Sequence, residues 1–440
     1  MLPVGRESDF EFELRRLEDC SEAALVRNNI GRMVANPFRT LTRPQFHAYF
    51  AALGGWSLDA FDFFVFVFCL KAISSEFHTG VKSVAEGIFL TLAFRPVGAL
   101  VFGWLAERYG RRPILMLNVA SYSAVQLATA FAPSLASLLA LRALFGFAMG
   151  GEWGVGAALA LETLPAKGRG FFSGLLQEGY VIGYLLASVV FAYLFVHVGW
   201  RGMFIVSAAS ALLVLYIRYG VEESPAWLAG VAPRRASAAI LWAAVKGYFP
   251  TLCYLVLLMA CFNAFSHGSQ DLYPTFLQVQ HGFSAATTGN IALVMNLGAL
   301  AGGICFGALS ERLGRRGAIA LAAALALPMI PLWAYSHTAV MLAVGGFLMQ
   351  FMVQGAWGIV PAHLNELSPP SVRAILPGFA YQLGNLAMSR MAPFQAGFAE
   401  SHGGDYAHVL SWTLATVVIA LILVTALGPE ARATDLRVSA

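Results

Sequence analysis

The chain has 440 residues, of which 58% are hydrophobic and only 12% charged, with a mean hydropathy of +0.68. Soluble domains carry roughly 25% charged residues, so this composition excludes a soluble globular protein and describes an integral membrane protein with repeated apolar spans. The net charge of +4 is too small for a nucleic-acid footprint and fits an asymmetry between loops.

Residues 1–45 are polar and contain no apolar stretch of the signal-peptide kind, so they read as a cytoplasmic arm. Twelve predicted helical spans follow, at 46–71, 83–106, 113–132, 134–163, 170–196, 200–217, 248–276, 286–311, 317–336, 338–363, 374–398 and 408–428. Each reaches or approaches the ~20 residues needed to cross a bilayer. Arg108, Arg111, Arg112, Lys167, Arg169, Arg218, Arg234, Arg235, Lys246, Arg312, Arg315, Arg316 and Arg373 gather on one side together with the basic residues of both tails. The other side has only Lys71, Lys82 and Arg201. The positive-inside rule therefore puts both termini in the cytoplasm. The expected organisation is a six-helix half at 46–217, a cytoplasmic linker at 218–247, a second half at 248–428 and a tail at 429–440. The Ala-rich composition and absence of N-x-S/T sequons point to a bacterial inner membrane.

Arg95, Arg142 and Arg390 fall inside spans, where a charge is costly and functional by default. In the first span, "GWSLDAFDFFVF" places Asp59 and Asp62 three residues apart on one face. Two acids this close in a low dielectric cannot easily both ionise, which makes them candidate proton carriers; pairing with an arginine is the structural alternative. Arg95, mid-way along the second span, offers a planar fork for a carboxylate. It reads as a substrate clamp, or as the ion-pair partner of Glu152. Arg142 and Glu152 in the fourth span are assigned to coupling, and Glu178 is a further buried acid.

The second half opens on a stretch that is polar where it should be apolar, "NAFSHGSQDLYPT" (Asn263–Thr275). Asn263, His267, Asp271 and Thr275 recur every four residues, and Ser266 and Gln270 adjoin them, so all share one helical stripe. Lipid cannot satisfy that stripe, which should therefore face a central cavity. Pro274 is expected to kink its outer end. His267 titrates nearest neutrality and has a carboxylate one turn away, which suits a proton-coupled carrier. Gln382 and Asn385, three apart in the eleventh span, offer a hydrogen-bonding face for a small polar ligand. Arg390, level by depth with His267 and Asp271, is expected to pair with an acid or bind substrate. Trp153 and Trp357 read as packing residues.

An internal repeat ties these features together. "GWLAERYGRR" (Gly103–Arg112) recurs as "GALSERLGRR" (Gly307–Arg316) at an offset of 204 residues. "GEWGV" recurs as "GAWGI", and Glu162, Pro165 and Arg169 match Glu366, Pro369 and Arg373, all at the offset of 204. The chain thus reads as two six-helix halves of like orientation, with a site near the midplane between them. The cysteines, Cys20, Cys69, Cys253, Cys261 and Cys305, show neither CxxC nor metal-ligand spacing. No metal or cofactor is expected, the proton being the coupling ion.

"GWLAERYGRR" resembles the loop signature of the major facilitator superfamily, Gly-x-x-x-Asp-Arg-x-Gly-Arg-Arg, with Glu107 and Glu311 in place of the usual Asp. "RALFGFAMGG" resembles its fourth-helix motif and "EESPAWL" the end of its sixth helix. By this resemblance Gly103, Glu107, Arg108, Gly110 and Arg111, with Glu311, Arg312 and Arg315, form gating loops. "NAFSHGSQDLYPT" resembles the helix-7 signature of the fungal-type lactate permeases, through Asn263, Ser266, His267, Gln270, Asp271 and Thr275. That resemblance implies proton symport of a short monocarboxylate such as lactate, pyruvate or acetate. A sialate or larger organic-acid symporter is the alternative, and a non-transporting carboxylate receptor a remoter one. The expected partners are a small carboxylate and the lipid bilayer, with no nucleic acid, and the chain is expected to act as a monomer. No catalytic motif is apparent, so an enzyme is not expected.

Overall fold

A computed structural model of the chain describes residues 41–164, 169–230, 247–368 and 376–429. Most of the arm, the linker and the tail lie outside these residues. The described part is helical throughout. The first half contains α1 (Arg43–Glu76), α2 (Val81–Tyr109), α3 (Arg111–Ala130), α4 (Leu135–Thr163), α5 (Arg169–Gln177), α6 (Gly179–Ser207) and α7 (Leu212–Gly220). The second contains α8 (Phe249–Gln270), α9 (Tyr273–Val279), α10 (Ala285–Leu313), α11 (Arg315–Ala326), α12 (Ala339–Trp357), α13 (Val360–Leu367), α14 (Leu376–Met388), α15 (Met391–Ser401) and α16 (Tyr406–Leu427). Among the described residues, 9 helical segments are long and apolar enough to cross a membrane.

One of these segments, Gly174–Gly220, is 47 residues long and reverses direction inside α6. Tyr184 stacks on Phe64 at 3.8 Å and Phe191 on Phe68 at 4.7 Å, so this stretch runs alongside α1 in the same direction. Beyond Gly199, Trp200 and Arg201 bond to Glu76 at the end of α1. Ser210 then reaches back to Asp62. The turn needs Gly199, whose φ of 62° lies in the region that L side chains avoid.

The 204-residue repeat is visible in the helix bounds. Val81–Tyr109 and Ala285–Leu313 each hold 29 residues and begin 204 apart. α3 and α11, and α4 and α12, also begin at this offset. The packing repeats too. A Cβ on Gly98 would lie 1.8 Å from the Phe147 carbonyl oxygen, and one on the equivalent Gly302 2.0 Å from that of Phe351. These glycines let α2 approach α4, and α10 approach α12, at backbone distance. Hydrophobicity does not drive association in lipid, so such close van der Waals contact is what holds each half together.

Several helices are interrupted, and discontinuous helices at the midplane are where transporters build their sites. The predicted continuous span at 248–276 breaks between α8 and α9, around Asp271 and Leu272. The cause is Pro274, which lacks an N–H and crowds the preceding turn. The predicted span at 374–398 likewise breaks at Ser389 and Arg390.

The two halves meet along α6 with α10 and at their outer ends. Lys71 Nζ donates to the Gln278 carbonyl at 2.7 Å. A Glu400 carboxylate oxygen accepts the Lys82 N–H at 2.9 Å, at the start of α2. These contacts bridge the two halves at this end. The signature loops lie at the opposite end, and the ion pairs described there join residues of the same half. Arg111 bonds Glu107 at 2.7 Å and Glu162 at 3.2 Å. Arg315 bonds Glu311 at 2.7 Å and Glu366 at 3.0 Å, the repeat-equivalent set. Gly110, with φ of 108°, sits at the turn into α3, where Glu223 accepts the Arg111 N–H at 3.0 Å. Arg108 and Arg312 are exposed. Gly103 has nothing within 4 Å of where a Cβ would stand, so no close approach requires a glycine there.

Candidate functional site

α8 begins as an ordinary apolar helix and turns polar at Asn263. Its polar residues are buried all the same: Asn263, Ser266, His267, Ser269, Gln270, Asp271 and Thr275 are each 5% exposed or less. They divide into two sets. Asn263, Ser266 and His267 line a small cavity between the halves, together with Gln177 and Gln354. Gln270, Asp271 and Thr275 stand behind that wall. Ser269 accepts from Gln350 Nε2 at 3.1 Å, which ties α8 to α12. Gln270 bonds the Ser266 hydroxyl, and Asn263 Nδ2 donates to the Met259 carbonyl at 2.8 Å. The stripe therefore reaches the cavity at one end only.

The centre of the stripe is the pair formed by His267 and Asp271. His267 Nδ1 lies 3.0 and 3.2 Å from the two Asp271 carboxylate oxygens. With Asp271 ionised, Nδ1 is the donor in that contact, and Nε2 is the ring nitrogen left to meet a ligand. Across the half-interface Phe63 presents its ring to His267, with centroids 6.0 Å apart.

The other cavity walls are aromatic. Trp56 and Tyr180 line it from the first half, Trp357 and Tyr381 from the second. Tyr381 and Gln177 are repeat equivalents, 204 residues apart, and both reach the cavity. None of these four rings was singled out as a ligand contact in the sequence, where apolar packing accounts for an aromatic residue equally well. Trp357, read there as packing, does pack on Phe262 at 5.6 Å and also faces the cavity. Arg95 stands behind this wall, 5.8 Å from the Trp56 ring centre and 5.9 Å from that of Tyr381. It is 1% exposed, and among the described residues its Nε and Nη2 have no hydrogen-bond partner. The alternative ion pair with Glu152 is not formed, since Arg95 has no carboxylate within 4.0 Å among the described residues.

The acids of α1 do not mirror the α8 stripe at the cavity. Asp62 turns into the first half, where its carboxylate accepts from Ser210 at 3.2 Å and its carbonyl from Gln126 at 3.0 Å. Gln126 Oε1 accepts in turn from Arg142 at 2.8 Å, and the Arg142 guanidinium is also held by Thr129 and by the Phe66, Phe145 and Phe204 rings. Asp59 and Glu152 are fully buried, and among the described residues no carboxylate oxygen of either has a hydrogen-bond partner. A charged and polar cluster thus fills the interior of the first half, one layer behind the cavity wall.

Two sites expected on the eleventh span are placed differently. Arg390 joins no central acid. It pairs with Glu86 at 2.8 Å across the outer half-interface, with its side chain 63% exposed. The break between α14 and α15 turns its side chain outward. Gln382 and Asn385 are buried but do not line the cavity, which their neighbour Tyr381 does. Among the described residues no cluster of three or more His, Cys, Asp or Glu could hold a metal.

The major facilitator superfamily profile matches residues 52–389. The chain is 28% identical to a yeast (Saccharomyces cerevisiae) protein named carboxylic acid transporter protein homolog, over 90% of this chain and 70% of that one. It is 31% identical to a probable 4-methylmuconolactone transporter of Cupriavidus pinatubonensis, over 76% of this chain and 79% of that one. The crystal structure of a D-xylose-proton symporter shares the fold with a TM-score of 0.70 at 18% identity, over 88% of this chain and 98% of that one. The relatives are thus not specifically lactate or pyruvate carriers. The matched profile, the doubled helical half and the apolar helices together make this chain a multi-pass membrane protein of the plasma or inner membrane, belonging to the major facilitator superfamily.

Proposed function

We propose that the chain is a secondary transporter that carries a small monocarboxylate, of the lactate, pyruvate and acetate class, together with a proton by alternating access. The observation that carries this reading is His267, anchored through Nδ1 by Asp271 and set in the wall of the central cavity. In the outward-open state the pair takes up a proton. Doubly protonated His267 then offers a charged Nε2–H donor to an incoming carboxylate, while Arg95 supplies a second cation close behind the aromatic wall. Asp59, Asp62 and Glu152 form a second set of acids through which the proton can be carried, and Arg142 holds α3 and α4 around that set. Proton and anion together leave the loaded cavity nearer neutrality than either alone, which lowers the desolvation cost of closing it. Coupling is reciprocal, so substrate raises proton affinity as proton raises substrate affinity. The names of the two relatives support an organic-acid cargo.

Uptake of labelled lactate, pyruvate and acetate into proteoliposomes under an imposed pH gradient tests the proposal. Gradient-driven accumulation is expected, and uptake indifferent to the gradient refutes symport. Asp271→Asn keeps the size of the residue and removes its charge. It is expected to lower gradient-driven uptake at least tenfold while substrate exchange across the membrane persists.

A further inference from the structure

We propose that Glu178 binds a proton of its own and works as a latch: neutral, it lets the two halves close where α6 meets α10, and ionised, it parts them. The inference goes beyond the transport reading above, which makes no use of this acid. α6 meets α10 across the half-interface at successive levels. From the outer end inwards, a Cβ on Gly289 would lie 2.6 Å from the Ala192 Cβ, Asn296 Nδ2 donates to the Ser188 hydroxyl at 3.4 Å, and a Cβ on Gly303 would lie 2.6 Å from Glu178 Oε1. On α10 these positions recur every seven residues, so they share one face of the helix. The outer two contacts are neutral. The innermost sets a carboxyl group directly against the backbone of the other half, in room that only a glycine leaves.

Glu178 stands at the junction of α5 and α6. Gln177 and Tyr180, on either side of it, line the cavity, whereas Glu178 turns onto Gly303. Its Oε2 is buried and, among the described residues, has no hydrogen-bond partner. Nor does any Arg, Lys or His among the described residues lie within 4.0 Å of its carboxylate. The charged groups of the helices packed around it are engaged elsewhere. On α10, Glu311 binds Arg315 and Arg312 is exposed at the inner end. On α3 and α4, Arg111 binds Glu162, Arg112 binds the Arg218 carbonyl and Arg142 binds Gln126. Asp59, Asp62 and Glu152 are buried inside the first half. An ionised Glu178 is therefore an unpaired charge in an apolar contact, and nothing there offsets its desolvation. A neutral Glu178 can donate its O–H to a backbone carbonyl; the Gln354 carbonyl oxygen lies 3.6 Å from the same Gly303 Cβ position. At the repeat-equivalent position the second half carries Gln382, the neutral isostere of this acid. Gly303 lies past the midpoint of α10, towards its inner end, so the latch acts on the inner side. Acid closes it and alkali releases it. Where cargo enters together with a proton, an acid interior then holds the inner side shut and limits further entry.

The test uses inside-out membrane vesicles carrying the full-length chain with Ser266→Cys in a background without the native cysteines. An impermeant thiol reagent outside these vesicles reaches the cavity from the cytoplasmic side. Its rate is compared with that of the same chain bearing Glu178→Gln, at about pH 5 and about pH 9, between which a buried carboxyl can titrate; the ratio cancels the pH dependence of the thiol itself. The ratio is expected to be near one at the acid end and to rise at least about fivefold at the alkaline end, as ionisation shifts the population towards the inward-open state. Gly303→Ala, which displaces the carboxyl, should label fast at both pH values. A ratio unchanged within about twofold overturns the proposal, as does Gly303→Ala labelling as slowly as Glu178→Gln at the acid end. Infrared difference titration of the purified chain reads the proton directly. A carboxylic-acid C=O band lost on alkalinisation should be missing from Glu178→Gln and kept in Asp271→Asn; its persistence in Glu178→Gln overturns the proposal. Neither measurement needs a cargo, so failure of gradient-driven uptake would refute the symport reading and leave the latch standing, and the reverse holds too.

Discussion

The outer closure of the molecule rests on contacts whose strength can be counted, and so can the effect of removing them. Glu400 on α15 caps the first turn of α2 across the half-interface, accepting the Lys82 N–H at 2.9 Å. An acidic acceptor at an exposed helix N-terminus contributes ~0.5–1 kcal/mol through the cap and the helix dipole. The exposed Arg390–Glu86 pair at 2.8 Å adds ~0–1 kcal/mol. Arg390 also lies 3.9 Å over the Phe89 ring, worth ~0.5–1 kcal/mol at an exposed position. These contacts exist only while the outer ends touch. Removing them in a Glu400→Ala/Arg390→Ala double variant therefore shifts the equilibrium towards the outward-open state by ~1–3 kcal/mol, or ~5–150-fold. The shift can be read as the rate at which an impermeant thiol reagent, added outside, labels a cysteine placed at Ser266 in a background without the native cysteines. The labelling rate should rise by that factor, and Glu400→Gln, which keeps an acceptor oxygen, should give a smaller rise. A double variant labelled at the parental rate, within twofold, would show that the outer closure does not depend on these side chains.

Three further outcomes follow from the packing. Gly98→Val places a side chain where the Phe147 carbonyl oxygen already stands. Overpacking at such a contact costs ~1–3 kcal/mol or more and should lower the thermal unfolding midpoint in detergent. Gly103→Ala, with nothing within 4 Å of the new methyl, should leave that midpoint unchanged or raise it. Glu366→Gln removes the charge that Arg315 meets at 3.0 Å; both groups are largely shielded, so the loss should be ~1–3 kcal/mol, again read as a lower midpoint. Glu162→Gln should behave alike, because Arg111 and Glu107 repeat the arrangement in the first half.

Much of this architecture was legible in the order of residues alone. The repeat at an offset of 204 predicted two like halves, and the helices begin at that offset because each half solves the same packing problem with the same glycines. The break before Pro274 was legible as well, since a proline carries its steric effect with it into any helix. The His267–Asp271 contact follows from a spacing of four on a helix, which brings the side chains together before any tertiary fold forms. What the order of residues could not decide is which face of each helix meets the cavity. Rotation about a helix axis is set by packing against its neighbours, so Asp62 turned into its own half while Phe63 met His267. By the same cause Tyr381 rather than Gln382 reached the cavity, and Arg390 swung out to Glu86 once its helix broke. The aromatic wall was the least legible feature: a tryptophan or tyrosine in an apolar span satisfies core packing and ligand contact equally well, and only the meeting of the two halves separates them.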